Sequence, residues 1–496
     1  RFKFFSVSPS VEPFNEAKYK ALMDGLECSE INRSELERTL RIDSEFYSKS
    51  AIKVSDMLQS RSHDLLTTFV NVSDGNHMGI SDCFIDEGVP YYRGQDAGAF
   101  FIENSNPICI NEETFELPVM KRSHLKKGDV ILSIVGTIGS LSLVYSDKSA
   151  TCSCKLAILR PKEGKIAELL ATFLRGKYGQ AQITRFIRGA VQKGLILEDM
   201  DQLVVPTFGD GIVEAIKNAV QSAYQIQEKA NIHYREAQRT LMNAIGSILA
   251  PAESVSVRNI STSFYTTGRL DAEYYQPKYD EYWRQLQEFE TTSIPTEYEV
   301  FKNSGTNYAD GVNDIGVIKT KQLGNNGIDT NGVESYFTIQ ACIENKSTYL
   351  RKNDVVFASM GVGSLGKVSL FSSDGEKQFV TDSTLRIYRA KTSCRVLPEV
   401  LCVFLQSHLG QEMIYRYVVG STGIINIYDD DMAKIPIPIL NMDVQKEIAS
   451  KVQASFALRK QSKQLLEYAK QAVEMAIEQG EEVALEWLKE KIPAEV

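Results

Sequence analysis

The chain has 496 residues, 43% of them hydrophobic and 24% charged, which gives room for about three domains and excludes a largely disordered protein. No apolar run reaches the roughly 18 residues of a membrane-spanning helix, and no charged-then-apolar leader opens the chain, so we expect a cytoplasmic protein without contact to a membrane. The formal net charge of −9 argues against a uniformly basic surface for nucleic acid, but not against basic residues gathered on one face or supplied by a partner.

In chain order, the sequence predicts five segments. An amphipathic lead-in occupies residues 1–40. Short β-branched runs separated by Gly, Asn and Asp predict a mixed α/β globular part at 41–208, and a helical pattern that ends at a proline follows at 209–253. A second globular part is predicted at 254–440 and a second helical segment at 441–496.

These segments arise from an internal repeat. RIDSEFY at 41–47 returns as RLDAEYY at 269–275, with Arg, Asp, Glu and the final Tyr in place. LKKGDVILSIVG returns as LRKNDVVFASMG, and GIVEAIKNAVQSAYQI returns as DVQKEIASKVQASFAL. A repeat of this length is a duplicated domain rather than a solenoid unit, whose period is about 20–50 residues. We therefore expect one task to be carried out at two places.

Both helical segments carry an apolar stripe. In the first, predicted from about 211 to 248, apolar or small residues recur at alternating spacings of three and four, which is typical of a coiled-coil seam. The seam positions are 212, 216, 219, 223, 226, 230, 237 and 244, with His233 and Thr240 at the two remaining ones. The second helix, predicted from about 442 to 491, repeats the pattern, so we expect an antiparallel pair. The predicted fold class is α+β, with two mixed α/β domains separated by two long antiparallel helices in a pseudo-twofold repeat.

The cysteines and histidines do not predict a metal site. The eight cysteines form no CxxC pair and do not recur between the repeats, and the five histidines are scattered. Cys152 and Cys154 flank one residue of a predicted strand, a poor spacing for zinc. We expect buried free thiols in a reducing compartment and no cofactor bound by this chain.

Two short motifs suggest enzymatic chemistry, and in each case a structural explanation is favoured. MGVGSLGKVS contains a glycine-rich loop from Gly361 to Lys367 that elsewhere cradles phosphate, but Val368 stands where magnesium needs Ser or Thr, and a strand pattern follows instead of a helix. The first repeat has no lysine there. EGK at 163–165 offers a nuclease-like fragment in what we predict to be a solvated turn.

The polar and aromatic loops differ between the repeats while the surrounding sequence agrees. VPYYRGQDAGAF corresponds to GVIKTKQLGNNG, and IRGAVQKGLIL corresponds to VVGSTGIINIY. These loops hold residue types that reach base edges or phosphates, although at least one of Tyr91 and Tyr92 is expected to pack in the core. The candidate DNA-contacting residues are Tyr92, Arg93, Gln95, Ser133, Thr137, Gln192, Lys193, Lys319, Lys321, Gln322, Ser359, Ser421 and Asn426.

Along nearly its whole length, the chain resembles the specificity subunit of type I restriction–modification systems. The resemblance rests on LRIDSEFY, GDVILSIVGTIG, the GQ…R…G runs at 179–189 and 410–420 that lead to Val-Pro or Ile-Pro, and the long helix that ends each half. Any one of these motifs is weak, but their order, repeated twice, is specific.

The resemblance implies two target-recognition domains, 41–208 and 254–440, that each read half of a bipartite DNA sequence, with the helices as a ruler between them. It also implies a non-catalytic chain. Two modification subunits would methylate adenine with S-adenosylmethionine, and motor–nuclease subunits that use ATP and magnesium would cleave unmodified DNA. Two alternatives stay open: an enzyme that binds a nucleotide at Gly361–Lys367, and a coiled-coil adaptor without a nucleic-acid role.

Overall fold

The computed structural model describes residues 14–27, 29–102, 107–189, 191–246, 255–304, 314–325, 327–373, 375–420 and 424–492. The chain divides into two compact units. The first unit comprises the chain up to Ser222 together with Gln464 onward, and the second unit runs from Ala223 to Lys463. None of the helices in the described ranges is long and apolar enough to cross a membrane.

The first unit combines short strands with helices. Its helices are α1 (Glu16–Met23), α2 (Arg33–Thr39), α3 (Lys49–Gln59), α4 (Leu66–Phe69), α5 (Glu112–Phe115), α6 (Ala167–Arg175), α7 (Lys177–Phe186) and the start of α8 (Asp210–Ile245). Its strands are β1 (His63–Leu65), β2 (Val70–Asp74), β3 (Phe84–Ile85), β4 (Val89–Tyr92), β5 (Cys109–Ile110), β6 (Val130–Ser133), β7 (Leu141–Leu143), β8 (Thr151–Cys152), β9 (Leu156–Pro161) and β10 (Val204–Pro206).

The second unit has a matching set of elements. Its helices are α9 (Phe264–Thr267), α10 (Pro277–Leu286), α11 (Ile294–Glu297), α12 (Ile339–Glu344), α13 (Pro398–Gln406), α14 (His408–Arg416), α15 (Asp429–Met432) and the start of α16 (Met442–Gln479); α17 (Glu481–Lys491) belongs to the first unit. Its strands are β11 (Thr291–Thr292), β12 (Tyr298–Phe301), β13 (Ile315–Ile318), β14 (Leu323–Gly324), β15 (Gly327–Ile328), β16 (Tyr336–Phe337), β17 (Val355–Ala358), β18 (Val368–Leu370), β19 (Phe379–Thr381), β20 (Leu385–Ala390) and β21 (Ile437–Pro438).

The two units repeat one sheet topology. The first contains an antiparallel sheet in the order β2-β9-β6-β7, and the second contains β12-β20-β17-β18 in the same order. A second sheet in each unit contains a parallel pair, β4 with β8 and β13 with β19. All residues of β6 and of β17 are buried, which is why both read as continuous apolar runs rather than alternating ones. The predicted α+β class with a duplicated globular part is confirmed.

The repeated Gly-Gln pair has a packing reason in both units. A side chain at Gly179 would place its Cβ 2.4 Å from the Phe173 carbonyl oxygen, and one at Gly410 would lie 2.1 Å from that of Phe404, so only glycine allows α6 to meet α7 and α13 to meet α14. The glutamine that follows each glycine donates its side-chain amide to two backbone carbonyls of its own unit.

Long helix segments pair antiparallel within the second unit. The Ser455 hydroxyl donates to the Ala230 carbonyl at 2.8 Å, and the Ser462 hydroxyl donates to the Ala223 carbonyl at 2.7 Å. The later serine contacts the earlier alanine, so the two helices run in opposite directions. All four residues are buried. The repeat aligns Ala223 with Ser455 and Ala230 with Ser462, and each serine contacts the alanine that is aligned with the other serine. An antiparallel pair of equivalent helices requires this exchange.

The predicted seam of α8 is correct up to Ala230 and again at Ala237, but the predicted positions 233, 240 and 244 are each displaced by one residue. His233 and Thr240 are only partly buried, and the core beyond Ala230 is formed by Tyr234, Ala237, Leu241 and Ile245. A straight α-helix drifts about 20° per heptad relative to a strict seven-residue repeat, which moves the buried line onto the next residue. Tyr234 marks the change, because its hydroxyl bonds Gln406 of α13.

The sequence predicts one continuous second helix from about 442 to 491. In the structure this helix breaks at Gly480. This residue adopts φ 105° and ψ 160°, a conformation that is essentially restricted to glycine. The break starts α17, whose first residue, Glu481, accepts a hydrogen bond from the Gly209 backbone N–H at 2.8 Å. Ala484 and Leu488 of α17 are buried. The C-terminal helix is thereby held at the start of α8.

Gly480→Ala is expected to destabilise the docking of α17 by about 1–3 kcal/mol, because alanine is strained at this φ. No atom would lie within 4 Å of the added Cβ, so the cost comes from the backbone alone. Faster hydrogen exchange of the α17 amides would report it. Gly79→Ala is the matched control, since its added Cβ also meets nothing within 4 Å and its φ is not in the positive region. Equal exchange in both variants would contradict this account.

Candidate nucleic-acid interface

Three loops of the first unit converge at one end of its strands. They are residues 93–96 after β4, residues 133–139 from the end of β6 to β7, and residues 188–189 and 191–194 after α7, and we call them the first loop cluster. The Thr137 hydroxyl donates to the Gly94 carbonyl at 2.9 Å, joining the first two loops. The Leu195 N–H donates to the Ile134 carbonyl at 2.9 Å, and Val135 bridges Gly194, joining the third.

The second unit builds an equivalent second loop cluster from residues 319–322, 359–366, 419–420 and 424–427. The Gly361 N–H donates to the Ile425 carbonyl at 3.0 Å, and the Ile427 N–H donates to Ser359 at 3.0 Å. The loop after β13 reaches this cluster through residues 382–384. The Asp382 N–H donates to Ile318 at 3.1 Å. Loops that lie far apart in sequence therefore meet in both units.

The duplicated heptad anchors the third loop of the first cluster. The Arg41 guanidinium bonds both carboxylate oxygens of Asp43 and donates to the carbonyls of Phe186 and Ile187, where α7 ends and the loop begins. Its Cζ lies 4.3 Å from the ring centroid of Phe46. Arg41 is buried, so the guanidinium holds the base of the loop from inside the fold.

The second copy of the heptad makes the same contacts. Arg269 bonds both oxygens of Asp271 and donates to the carbonyls of Tyr417 and Val418 at 3.2 and 2.9 Å, and its Cζ lies 4.6 Å from the Tyr274 ring centroid. We call each set the arginine clamp.

Hydrogen bonds from Arg41 and Arg269 hold the pKa of the Asp43 and Asp271 carboxyls below their usual range. A carboxyl with a depressed pKa stabilises the fold above its unfolded pKa of about 3.9, and the stabilisation is lost as pH falls through the lower folded pKa. Both clamps are therefore intact at neutral pH and fail only in acid.

The candidate residues divide by exposure. Gln95, Thr137, Gln192, Lys193 and Lys321 are exposed. Tyr92, Arg93, Lys319 and Asn426 are partly buried, and Ser421 lies outside the described residues. Tyr91 is buried in the core, which confirms that at least one of the paired tyrosines is structural.

Ser133, Gln322 and Ser359 are buried and hydrogen-bonded inside the fold. Ser133 lies 3.1 Å from the Thr137 hydroxyl, and Ser359 donates to the Thr384 carbonyl at 2.9 Å. Gln322 accepts from the Lys319 N–H at 3.0 Å and donates to a loop carbonyl. Because their polar groups are already used to shape the loops, we assign these three residues to the framework rather than to base contact.

Lys155 adjoins the first loop cluster, although the sequence analysis did not single it out. The Ser153 N–H donates to the Tyr92 carbonyl at 2.9 Å, and the Lys155 carbonyl accepts from the Ile134 N–H at 3.0 Å. The Lys155 residue is exposed. The same backbone contacts place Thr384 at its position in the second unit, so the two clusters differ here by a full charge. The sequence contains a signal for this position: Lys155 precedes the strand LAIL and Thr384 precedes the aligned strand LRIY.

The two enzymatic motifs are turns. Residues from Gly361 to Gly366 form a turn between β17 and β18, so Lys367 precedes a strand and not the helix that a phosphate site needs. In the second motif, Glu163 and Gly164 form a turn, and Lys165 pairs with Asp64 at 2.7 Å. Within the described ranges, no group of three His, Cys, Asp or Glu side chains is placed to hold a metal ion.

Comparison with known proteins gives a family match that covers most of the second unit and the first residues beyond it. Residues 297–468 match the family model described as a type I restriction modification DNA specificity domain. A search of curated proteins gives no match.

Two solved structures align over most of the chain at low identity. The S subunit of a type I restriction-modification system from M. genitalium is 11% identical, with 86% of this chain and 95% of that chain covered and a TM-score of 0.33. The HsdS subunit from Thermoanaerobacter tengcongensis is also 11% identical, with 88% and 97% covered and a TM-score of 0.26. Residues 297–468 of this chain are thus similar to the DNA specificity domain of type I restriction–modification systems.

Proposed function

We propose that each loop cluster reads one half of a bipartite, asymmetric DNA target, within the target-recognition domains 41–208 and 254–440. The support is that the two units share one backbone arrangement of strands and loops, while the side chains on these loops differ between them. In the structure, Arg93 and Lys319 each begin the equivalent short turn after a strand, and equivalent backbone hydrogen bonds place Lys155 where the second unit has Thr384. Since base edges are read by hydrogen bonds from such side chains, two different clusters predict two different half-sites.

The chemistry is proposed to belong to partner subunits. Two modification subunits would methylate adenine, and motor–nuclease subunits would join to cleave unmodified DNA. The net charge of −9 supports a division of labour, because a duplex needs positive surface that this chain alone supplies only locally. The long helices would set the distance between the half-sites and dock the modification subunits.

Methylome sequencing of cells that carry the operon tests the split target directly. We expect a motif with two specified halves separated by unspecified bases. A single continuous motif would rule the split target out. Selection from randomised duplexes by the purified complex, at stated salt, separates this function from that of an adaptor, which would enrich no sequence.

Substitution of one exposed lysine in each cluster should relax one half-site only. Lys193→Ala and Lys321→Ala are each expected to lose about 1–3 kcal/mol of discrimination in their own half-site, the value of a good base contact. Binding to duplexes randomised in one half at a time measures the loss. Lys148→Ala is the control, since this exposed lysine precedes β8, away from the loop cluster. An equal loss on all sequences would instead indicate a phosphate contact.

A further inference from the structure

An exposed ion pair adjoins the second loop cluster. The Lys321 ammonium donates to the Glu334 carboxylate, and the two side chains are 50% and 75% exposed. Lys321 lies in the loop after β13, and Glu334 lies two residues before β16, which pairs antiparallel with β13. The beginning of β16 is therefore beside the end of β13. Exposed ion pairs contribute little to stability, so stability is a weak reason for this one.

The backbone on both sides of the pair is fixed by other hydrogen bonds. The Lys319 ammonium donates to the Ser335 hydroxyl at 2.7 Å, and the Gln322 side-chain amide donates to the Gly332 carbonyl at 2.7 Å. Gln322 is buried, so its bond belongs to the framework of the loop. The two exposed charged side chains are therefore brought together by a framework that does not depend on their own contact.

The first unit has neutral residues at the two corresponding positions. Gln95 and Lys321 are the middle residues of the two equivalent three-residue turns. Equivalent backbone hydrogen bonds from β4 and β13 make Pro107 the counterpart of Glu334. The charged pair is thus a property of the second loop cluster, and it lies where the two units are proposed to differ in what they read.

The pair presents a hydrogen-bond donor next to an acceptor. A lysine ammonium has three donors and an ionised carboxylate has about four acceptor positions, so each group retains capacity for a further partner. The hydrogen bond from Lys321 holds the pKa of the Glu334 carboxyl below its usual range, so this side chain is an acceptor at neutral pH. A lone carboxylate would repel the phosphates of DNA, and the neighbouring ammonium offsets that charge.

One base pair matches this order of groups in the major groove. Guanine presents the acceptors N7 and O6, and the cytosine opposite presents its N4 amino donor beside that O6. Lysine donates to guanine N7 and O6, and glutamate accepts from cytosine N4. A reversed C·G pair would set the ammonium against the amino group and the carboxylate against the carbonyl oxygen. A T·A pair would set the adenine N7 acceptor against the carboxylate.

We infer that Lys321 and Glu334 together read a single G·C base pair of the second half-site, with Lys321 donating to guanine N7 and O6 and Glu334 accepting from cytosine N4. The inference rests on the proposed function, because it takes the second loop cluster to face the major groove. It adds the base pair that is selected and the two side chains that select it.

Selection by the assembled complex from duplexes randomised in the second half tests whether both side chains act at one position. For the wild type we expect G·C at one fixed position. Lys321→Ala and Glu334→Ala should each weaken discrimination at that same position by roughly 5- to 150-fold, the value of a good base contact, and leave the first half-site unchanged. Relaxation at two different positions would contradict the inference.

Base analogues in the selected duplex identify the atoms. 2-Pyrimidinone lacks the N4 amino group of cytosine, and 7-deazaguanine lacks N7. Removal of the amino group should weaken wild-type binding at least roughly fivefold more than it weakens binding of Glu334→Ala. Removal of N7 should likewise cost the wild type more than it costs Lys321→Ala. Any general effect of altered base pairing is common to both proteins and cancels in the comparison.

Glu288→Ala is the matched control, because Glu288 is an exposed carboxylate of the second unit that pairs with Arg284 at 3.6 Å outside the second loop cluster. This variant should select the wild-type target, and unchanged thermal melting would show that each variant is folded. If the wild type selects a split target and Glu334→Ala selects the same one, whether or not it binds all duplexes more tightly, the inference fails and the proposed function stands. If the wild type selects no sequence, both fail.

Discussion

Asp354→Ala should lower the free energy of unfolding of the second unit by about 3–5 kcal/mol, the cost of breaking a buried ion pair from one side. The Asp354 side chain is 2% exposed and that of Arg389 is 15% exposed. The guanidinium bonds both carboxylate oxygens at 2.9 and 2.7 Å and also the Tyr349 carbonyl. The substitution leaves a buried charge and the Arg351 N–H without their acceptor. Urea denaturation and hydrogen exchange of the β17 amides would measure the loss.

The first unit supplies a replicate of this experiment. Asp129 binds Arg160 through the same two oxygens at 2.7 and 2.6 Å. Asp129→Ala should destabilise the first unit in the same direction but less, because the Arg160 side chain is 34% exposed and water screens the charge that is left. Asp147→Ala is the exposed control: Asp147 is 80% exposed and pairs with Lys127, and such pairs contribute about 0–1 kcal/mol. If Asp354→Ala cost no more than this control, the ion pair would not be what holds β20 to the turn before β17.

Arg41→Ala should abolish recognition of one half-site while leaving the other intact, and Arg269→Ala should do the reverse. Each arginine joins the heptad to the base of a recognition loop, so its loss frees that loop and leaves the aspartate carboxylate without its partner. A misplaced loop forfeits several contacts together. We expect a loss of at least roughly 3 kcal/mol in that half-site, more than any single base contact supplies.

Arginine-to-lysine substitutions separate charge from geometry. Lysine keeps the charge but cannot bond both carboxylate oxygens and two carbonyls at once, so Arg41→Lys should restore little. Binding of the assembled complex to duplexes with one half randomised, measured for all four variants, gives the comparison. An equal loss on both halves from Arg41→Ala would show that the clamp stabilises the chain generally and does not position one loop.

Predictions from the pattern of apolar residues were correct for features that residues close in sequence determine. The duplication, the buried strands β6 and β17 and the start of each long helix follow from local periodicity. The seam beyond Ala230 and the break at Gly480 did not, because helix drift accumulates with length and because one glycine among helix-forming residues is a weak local signal.

For the candidate interface, the sequence determined which loops vary and that they vary twice on a common frame. Only the tertiary structure decided which of their side chains point outward. Ser133, Gln322 and Ser359 have the chemistry of base contacts but are buried, whereas Lys155 is exposed beside them. The physical reason is that a polar side chain hydrogen-bonds whichever partner the fold brings nearest. For residues that adjoin a core strand, that partner comes from a distant part of the chain, which local sequence does not specify.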